Sequence, residues 1–391
     1  MKTAAIVFMK EVRENLRDRR TVLNTFITGP LMAPLIFVLV IHFAIAKQVE
    51  KAEQPLPVPV IGAQYASNLV AALEQFGMVV KPAIANPEAA VRAQDVNVVL
   101  RIPAGYGNAW RQGEPAQVEL IYDASQSDSA QAEARLEQML KGVSQRTASL
   151  RLLARGLSPA LAQPIAIAQR DQSTPQSRGG LLFAMLPYFF ILGAFIGGMA
   201  LAIDTTAGER ERQSLEPLFA NPVPRWQLLA GKLGATSLFA LITVFLSIVA
   251  FAQVGHFLPA DKLGMVLDLG VRFTVTVLIA MLPLVLLLAV AQTLVAAFAK
   301  SYREAQTYLS LLMFLPAIPS VLLSILPVKA KLWMYAIPVV GQQTVILRLM
   351  RGETVAATPL LICVVCTAIA ALIVCAITAR IYQSERLAIS A

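Results

Sequence analysis

Charged residues are scarce in this sequence and are missing altogether from long stretches of it. Asp, Glu, Lys and Arg make up 15% of the 391 residues, and 57% of the residues are hydrophobic, whereas soluble domains are about a quarter charged. Six stretches of 24 to 28 residues hold no charge, namely 21–46, 179–203, 233–260, 273–299, 305–328 and 354–379. Because about 20 apolar residues are enough for one helix to cross a bilayer, the sequence excludes a soluble globular protein and predicts six membrane spans.

Two other stretches that are apolar or free of charge are unsuited to spanning a bilayer. Residues 54–73 include three prolines, and a bilayer supplies no partners for the backbone groups that such a segment leaves open. Residues 332–347 number only 16, with Pro338 and Gly341 among them, so a straight helix of this length cannot cross. We predict that 332–347, within the external segment 329–353, is re-entrant or interfacial.

Catalytic groups are also missing from the predicted spans. His42 and three cysteines are the ionisable side chains in the span interiors, with His256 near the outer end of the third span, whereas proton relays place carboxylates or bases within the bundle. Gly231-Lys232 looks like the end of a phosphate-binding loop, but Leu233 stands where such a loop needs Ser or Thr. We therefore predict no catalytic residues, no enzyme activity and no ATP hydrolysis in this chain.

Cysteine is rare and is confined to the last predicted span. Because the segment between the first two spans has none, that segment must fold without disulfides. Cys363 and Cys366 form a CxxC pair, but the apolar stretch around them offers no second pair of metal ligands. We interpret both as small packing residues and predict no metal site.

Basic residues are unevenly distributed between the two sides of the predicted spans. With six spans both termini lie on one side, and the tails and short loops of that side hold 14 Lys and Arg residues against 6 opposite. The other 13 lie in 47–178, a segment too long for its charges to steer insertion. Because cytoplasmic loops carry the excess, both termini are predicted to be cytoplasmic and 47–178 external. We expect no cleavable signal peptide, since no small-residue cleavage site follows the first span at the usual distance.

The segment 1–20 has the pattern of an amphipathic surface helix. One face carries Ala5, Phe8, Met9, Val12 and Leu16, and the other carries Lys10, Glu11, Arg13, Glu14, Arg17 and Asp18. Such a helix lies in the membrane interface with its basic residues near anionic headgroups. The alternative is a charged cytoplasmic tail.

The segment 47–178 is long enough to be a domain with its own core. Short β-rich runs bounded by Pro, Gly or Asp predict strands near 58–61, 96–102, 118–122 and 165–168. One long helix is predicted by residues that repeat every three or four positions, namely Ala132, Leu136, Met139, Val143, Thr147, Leu150 and Ala154. The fold class is therefore an all-α transmembrane bundle of six spans with an inserted extracytoplasmic α/β domain.

The predicted cytoplasmic loop 204–232 contains a row of alternating charges. Glu209, Arg210, Glu211 and Arg212 precede Leu215, Leu218 and Phe219, which recur at helical spacing, and Pro217 and Pro222 limit the helix. A short helix with a charged end and an apolar strip is what a rigid contact with a soluble partner requires. A solvated linker is the alternative.

The motifs of this loop resemble a known family. The run from Gly208 to Lys232, with Glu-Arg-Glu-Arg-Gln-Ser-Leu-Glu-Pro-Leu at 209–218, resembles the cytoplasmic motif of ABC-2 type exporter permeases, in which a coupling helix docks into an ATPase subunit. The N-terminal run from Lys10 to Thr21 resembles the sodium-efflux (NatB-type) branch of that family. Residues 98–103 and Tyr122-Asp123, ahead of the long helix, do so too.

This resemblance implies an assembly and assigns roles to residues. It implies two permease subunits, either two copies or one copy with a related permease, and two ATP-binding subunits, which hold ATP and Mg²⁺ while this chain binds no cofactor. It implies a multi-pass protein of a bacterial cytoplasmic (inner) membrane, with no nucleic acid as partner. Coupling would fall to Glu209, Arg210, Glu211, Arg212, Leu215 and Glu216, beside an elbow helix at 1–20 that carries Lys10, Arg13, Arg17, Arg19 and Arg20.

Only neutral oxygens are available in the spans for a sodium ion. Candidates for the pathway are Asn24, Thr28, Gln292, Thr293, Gln306 and Tyr308. Hard cations accept neutral oxygen ligands, so these side chains suit weak binding of sodium. The alternative is that they form hydrogen bonds between helices or mark polar span ends.

Two other function classes are compatible with the residues. An ATP-driven exporter of a lipid, antibiotic or peptide would share every feature except the likeness to the sodium-efflux branch. A membrane-anchored interaction protein acting through 47–178 is the alternative outside transport.

The topology can be tested by labelling a single cysteine. In a variant without the three native cysteines, Ser125→Cys should react with a membrane-impermeant maleimide from outside intact cells, because 47–178 is predicted to be external. Reaction only after the cytoplasmic face has been opened would contradict this topology.

Overall fold

A computed structural model describes residues 2–162, 168, 170–174, 184–214, 217, 222–255, 269–325 and 329–383. It divides the chain into two compact units. One combines Met1–Ala44 with Gln172–Ala391, and the other is Ile45–Asp171. The first is called the membrane unit below and the second the α/β unit.

The elements are numbered in chain order. The helices are α1 Lys2–Arg17, α2 Arg19–Val22, α3 Gly29–Glu53, α4 Ser67–Gln75, α5 Pro87–Arg92, α6 Tyr106–Gln112, α7 Ser127–Ala154, α8 Leu186–Ile203, α9 Glu209–Glu211, α10 Arg225–Gly255, α11 Val271–Phe298, α12 Tyr302–Leu312, α13 Phe314–Ile325, α14 Val340–Met350 and α15 Ala357–Gln383. The strands are β1 Leu56–Ile61, β2 Met78–Lys81, β3 Val98–Arg101 and β4 Glu119–Tyr122. The chain also contains two π-helical segments, Leu23–Thr28 and Asp204–Gly208, and a 3₁₀ turn at Leu332–Ala336.

In the part of the chain that the structure describes, six helices are long and apolar enough to cross a membrane, and each overlaps one predicted span. They are Leu23–Lys47, Leu186–Glu211, Arg225–Gln253, Val271–Phe298, Tyr302–Leu323 and Ala357–Gln383. The second continues through Asp204–Gly208 to Glu211, and the third begins at Arg225. The connection between these two helices therefore runs from 212 to 224, shorter than the 204–232 predicted from charge, and residues 215, 216 and 218–221 of it lie outside the described residues. Residues 179–183 and 256–260, which the sequence assigns to spans, lie outside the described residues.

The core of the membrane unit forms where α8, α10 and α11 pack together. Phe190, Phe195 and Val277 are among its fully buried side chains. Gly197 permits this packing, because a Cβ there would lie 3.0 Å from the Cα of Ala240 on α10. Small residues at membrane helix contacts let backbones approach closely in this way.

The segment 329–353 contains two short helical pieces. The turn Leu332–Ala336 leads into α14, whose residues Gly341 to Ile346 are buried. A Cβ on Gly341 would lie 3.1 Å from Cys363 Sγ, which is buried beside Ala280 and Val345. Cys363 is thus a packing residue, as its apolar surroundings indicate.

The α/β unit has a four-stranded sheet in the order β2-β1-β3-β4. The β1–β2 and β1–β3 pairs are parallel, and β3 pairs antiparallel with β4. Three predicted strands match β1, β3 and β4, whereas β2 was not predicted and 165–168 lies mostly outside the described residues. The composition does predict an α/β fold correctly.

The long helix α7 is buried along only its first half. Ala132, Leu136, Met139 and Val143 lie in the core of the α/β unit, as their spacing predicts. Leu150 and Ala154 continue the same repeat to the end of the predicted helix, but both are exposed. The sheet has only four strands, and its core ends before α7 does.

Candidate functional site

The predicted coupling residues begin at the end of the second membrane-spanning helix, Leu186–Glu211. The π-helical segment Asp204–Gly208 joins α8 to α9, which carries Glu209, Arg210 and Glu211. Glu209 is only 7% exposed and Arg210 is half-buried, whereas Glu211 and Arg212 are exposed. The prediction that residues 209–212 form an exposed, charged helix end is therefore wrong for Glu209, which is buried. Leu215 and Glu216 lie outside the described residues.

Glu209 takes part in a buried ion pair with Lys232 of α10. The Lys232 ammonium, 1% exposed, donates to the Glu209 carboxylate and, at 2.7 Å, to the carbonyl oxygen of Thr205. A buried charge persists only when it is paired and hydrogen-bonded, which both contacts achieve here. Both residues belong to the loop 204–232 predicted from charge, so their burial at the ends of two spanning helices was not predicted.

The N-terminal helix α1 adds two charges to this pair. Lys10 Nζ lies 3.1 Å from Glu11 Oε1 and 3.9 Å from Glu209 Oε1. Glu11 is 2% exposed, so its predicted place on the solvent face of α1 is wrong. The buried face of α1 is the stripe Val7, Glu11 and Asn15. Glu11, Glu209, Lys10 and Lys232, called the charge cluster below, are two acids and two bases, so the fully ionised cluster is neutral.

The cluster shifts the pKa values of its two α1 members. Burial raises the pKa of the Glu11 carboxyl, because removal from water disfavours the anion, and Lys10 and Lys232 oppose that shift. Burial alone would lower the pKa of Lys10, but Glu11 beside it and Glu209 raise the net pKa above its ordinary value. Lys10 therefore stays protonated at physiological pH.

The other charged residues of this row contact further helices. Arg210 donates to the carbonyl oxygens of Ala297 and Ala299 at 3.5 Å, where a cation complements the carboxyl end of α11. Glu211 accepts a 2.7 Å bond from the backbone N–H of Tyr302, at the start of α12. Arg212 donates to Asp204 Oδ1 at 2.9 Å.

The end of α15 joins the same region. Tyr382 is buried, and its hydroxyl lies 3.2 Å from Thr206 Oγ1 of the π-helical segment. Arg225, the first residue of α10, donates to the carbonyl oxygen of Gln383 at 3.0 Å. Polar contacts therefore connect α9 and the segment before it to α1, α10, α11, α12 and α15.

Gly231 and Lys232 have structural roles in place of phosphate binding. A Cβ on Gly231 would lie 2.7 Å from Val7 Cβ and 2.8 Å from the Ala4 carbonyl oxygen, so glycine lets α1 rest directly on α10. Phe8 and Val12 of α1 pack on the buried Phe239.

The basic residues of the predicted elbow helix are exposed where the structure describes them. Arg13, Arg17 and Arg19 face outward, and so does Lys10 for about half of its side chain. The side chain of Arg20 lies outside the described residues. Exposed Met9 and Leu16 accompany these bases. This surface fits a helix in the membrane interface.

The six candidate pathway residues do not converge. Asn24 and Thr28 are exposed on the first π-helical segment, and Gln306 and Tyr308 are exposed on α12. Gln292 and Thr293 are buried on α11. No hydrogen bond among the described residues joins two of the six.

Three of these side chains, those of Gln292, Thr293 and Tyr308, donate hydrogen bonds within this subunit. Gln292 Nε2 donates to the Phe195 carbonyl oxygen at 2.7 Å, which is a hydrogen bond between α11 and α8. Thr293 donates to Ala289 on its own helix, and the Tyr308 hydroxyl donates to Glu304 at 2.6 Å. Gln292 therefore fits the alternative interpretation, in which these polar side chains form hydrogen bonds between helices.

Comparison with known proteins identifies the family. Residues 25–378 match the family model described as "ABC-2 family transporter protein". The chain belongs to the ABC-2 family. An ABC-2 permease is the membrane subunit of an ABC transporter and is not itself an enzyme, because ATP is hydrolysed in a separate ATP-binding subunit. This multi-pass membrane chain is therefore a permease subunit, and the interaction-protein alternative is set aside.

One relative gives a finer comparison. The chain is 27% identical over 324 residues to "ABC transporter permease protein NatB" of Bacillus subtilis (strain 168), a match that covers 80% of each chain. The resemblance recognised in the sequence is thereby confirmed for the family and for its similarity to NatB.

The charge cluster predicts a large and specific loss of stability. Lys232→Met leaves Glu209 and Glu11 buried with one cation fewer, and removing one partner of a buried pair costs about 3–5 kcal/mol. We expect a clear fall in the thermal unfolding midpoint of the detergent-solubilised permease. Glu209→Gln/Lys232→Met should recover most of that loss, because it removes both charges.

Lys300→Met is the matched control, since Lys300 is exposed. Its substitution should shift the midpoint little. Equal shifts for Lys232→Met and Lys300→Met would show that the buried pair does not stabilise the fold.

Proposed function

We propose that this permease works in an ATP-driven exporter that extrudes sodium ions. The observation that supports the cargo is the similarity to NatB over 80% of both chains. The likeness of Lys10 to Thr21 to the sodium-efflux branch agrees with it. The partners in this proposal are two ATP-binding subunits, which hold ATP and Mg²⁺, and a second copy or a related permease.

The proposed orientation places the charge cluster on the cytoplasmic side of a bacterial inner membrane. The excess of basic residues in the tails and in the loops on the side of the termini supports this orientation. In it the α/β unit is extracytoplasmic, and α1 lies at the inner interface. The exposed residues Glu211 to Ser214 then face the ATP-binding subunits.

In the proposed coupling, the contacts of α9 carry motion from the ATP-binding subunits into the spans. A displacement of Glu209 is passed to α10 through Lys232 and to α1 through Lys10. Arg210 and Glu211 pass it to the ends of α11 and α12. Because buried ion pairs in low dielectric resist separation, these helix ends would move together rather than bend apart.

The proposed pathway relies on neutral oxygens that one subunit leaves uncovered. Asn24, Thr28, Gln306 and Tyr308 are exposed in the single chain, and a second permease packed against it would cover these side chains. Sodium held by neutral oxygens alone binds weakly and leaves easily, which suits an exporter. Transport should therefore saturate only at high cytoplasmic sodium.

Charge reversal at Glu211 tests the coupling. Glu211→Lys should weaken the complex with the ATP-binding subunit or uncouple hydrolysis from transport, because like charges at an interface can cost several kcal/mol. Glu211→Gln is the matched control, since the amide oxygen can still accept from Tyr302 N–H. We expect Glu211→Gln to keep the complex. Unchanged co-purification and transport in Glu211→Lys would remove this residue from the mechanism.

The cargo is tested by reconstituting the permease with its ATP-binding subunit in sealed vesicles. Sodium-22 movement and ATP hydrolysis should both rise with sodium, while potassium at equal ionic strength should have no such effect. If the rate of ATP hydrolysis does not change with sodium but rises with a lipid, an antibiotic or a peptide, the sodium proposal is wrong. That outcome would favour the alternative exporter without affecting the assignment as an ABC-2 permease.

A further inference from the structure

A basic cavity lies at the opposite helix ends from the charge cluster, beside the segment 329–353. Its volume is about 460 Å³. Its wall is formed by the end of α13 and the residues after it, by the turn Leu332–Ala336, and by α14 and the residues after it. The charged residues in its wall are Lys329, Arg348, Arg351 and Glu353. Three cations and one anion give the cavity an excess of positive charge, which favours an anionic ligand.

Glu353 neutralises only one of these cations. Arg348 Nε lies 2.7 Å from Glu353 Oε2, and its Nη1 donates to the Tyr335 hydroxyl at 3.1 Å. The hydrogen bonds to Tyr335 and Glu353 raise the pKa of Arg348, which keeps it charged. Within the described residues, no ion pair is recorded for the side chains of Lys329 and Arg351. Two positive charges at the cavity therefore remain uncompensated.

A buried side-chain oxygen in the cavity wall also needs a partner. Gln343 is 1% exposed, and its Nε2 donates to the Ser320 carbonyl oxygen at 2.8 Å. Among the described residues its Oε1 has no hydrogen-bond partner. A buried acceptor left open costs about 1–3 kcal/mol, so a ligand hydroxyl that reaches this oxygen would bind favourably.

Apolar side chains beside the cavity are exposed. Trp333, 60% exposed, and Leu332 belong to the turn that supplies Met334 to the cavity wall, and Leu322 is exposed on α13. Tryptophan is enriched where membrane meets water, with its ring at headgroup level. The rim of the cavity is therefore suited to acyl chains, while its wall is suited to an anion.

We propose that this cavity binds the headgroup of an acidic phospholipid. Lys329 and Arg351 contact the phosphodiester, Gln343 accepts a hydrogen bond from a headgroup hydroxyl, and the acyl chains lie along Trp333 and Leu332. A phosphatidylglycerol headgroup has both required groups, one phosphate anion and free hydroxyls. This site is separate from the charge cluster and does not depend on which cargo is exported.

Native mass spectrometry of the full-length permease tests the site. After delipidation in detergent, the protein is titrated with dioleoylphosphatidylglycerol and, separately, with dioleoylphosphatidylcholine. We expect one tightly bound phosphatidylglycerol per chain and weaker binding of phosphatidylcholine, which has no net charge. Lys329→Gln/Arg351→Gln should weaken phosphatidylglycerol binding about a hundredfold, because it removes two charge-assisted hydrogen bonds and each loss costs about tenfold.

The matched control is Arg272→Gln/Lys331→Gln, which removes the same charge from exposed positions outside the cavity wall. It should leave the affinity unchanged. Arg351 is exposed, so Arg351→Gln alone supplies the test if the site double variant does not fold. Equal affinities in the site and control variants, or equal binding of the two lipids, would overturn the proposal.

Competition separates a lipid from a soluble anion. Glycerol 3-phosphate and inorganic phosphate lack acyl chains, so they should displace phosphatidylglycerol only at concentrations far above that of the lipid. If either displaced it at comparable concentration, the cavity would be a site for a soluble phosphate and the lipid assignment would be wrong.

Discussion

The buried pair of Glu209 and Lys232 is the interaction on which the organisation of the helix ends depends. Two charges removed from water are tolerated only if their geometry is good and their remaining hydrogen bonds are made. Lys232 meets that condition through Glu209 and the Thr205 carbonyl oxygen, both supplied by one short stretch of chain. A π-helical segment precedes Glu209. Its wider turn changes the direction in which later side chains point, and such segments are frequent at functional sites.

The pair also explains why the spanning helices of this permease extend into residues 204–232, which the charge pattern predicts to be a cytoplasmic loop. Charges left unpaired in α9 and at the start of α10 would have to remain in water, and the spans would end before them. With the charge cluster neutralised, the helices extend to Glu211 and begin at Arg225. In the proposed coupling, force applied to the short connection 212–224 would act directly on two spans. Contacts of Arg210, Glu211 and Tyr382 would extend this action to three more helices.

Most of the membrane architecture was predictable because it depends on one local property, the absence of charge over a bilayer-length stretch. The cluster was not, because it joins residues 23 positions apart on span ends to a third helix near the N-terminus. Two signals pointed to it. Val7, Glu11 and Asn15 recur every fourth residue, which marks a buried stripe that is not wholly apolar, and glycine before Lys232 marks a close helix contact. Strand β2 has only four residues, too few for a period-2 pattern to stand out.

Charged residues are arranged differently at the two ends of the membrane unit, and each arrangement suits a different role. In the charge cluster acids and bases occur in equal number and all but Lys10 are buried, so their charge holds helices against one another. Near Arg351 bases outnumber acids around an open cavity, so their charge remains available to a ligand. Neutral side chains such as Gln292 lie between these ends. In the proposed exporter, a sodium ion that crosses this unit would therefore meet no fixed charge in the described span interiors, and its direction of travel would be set by how the charged ends move.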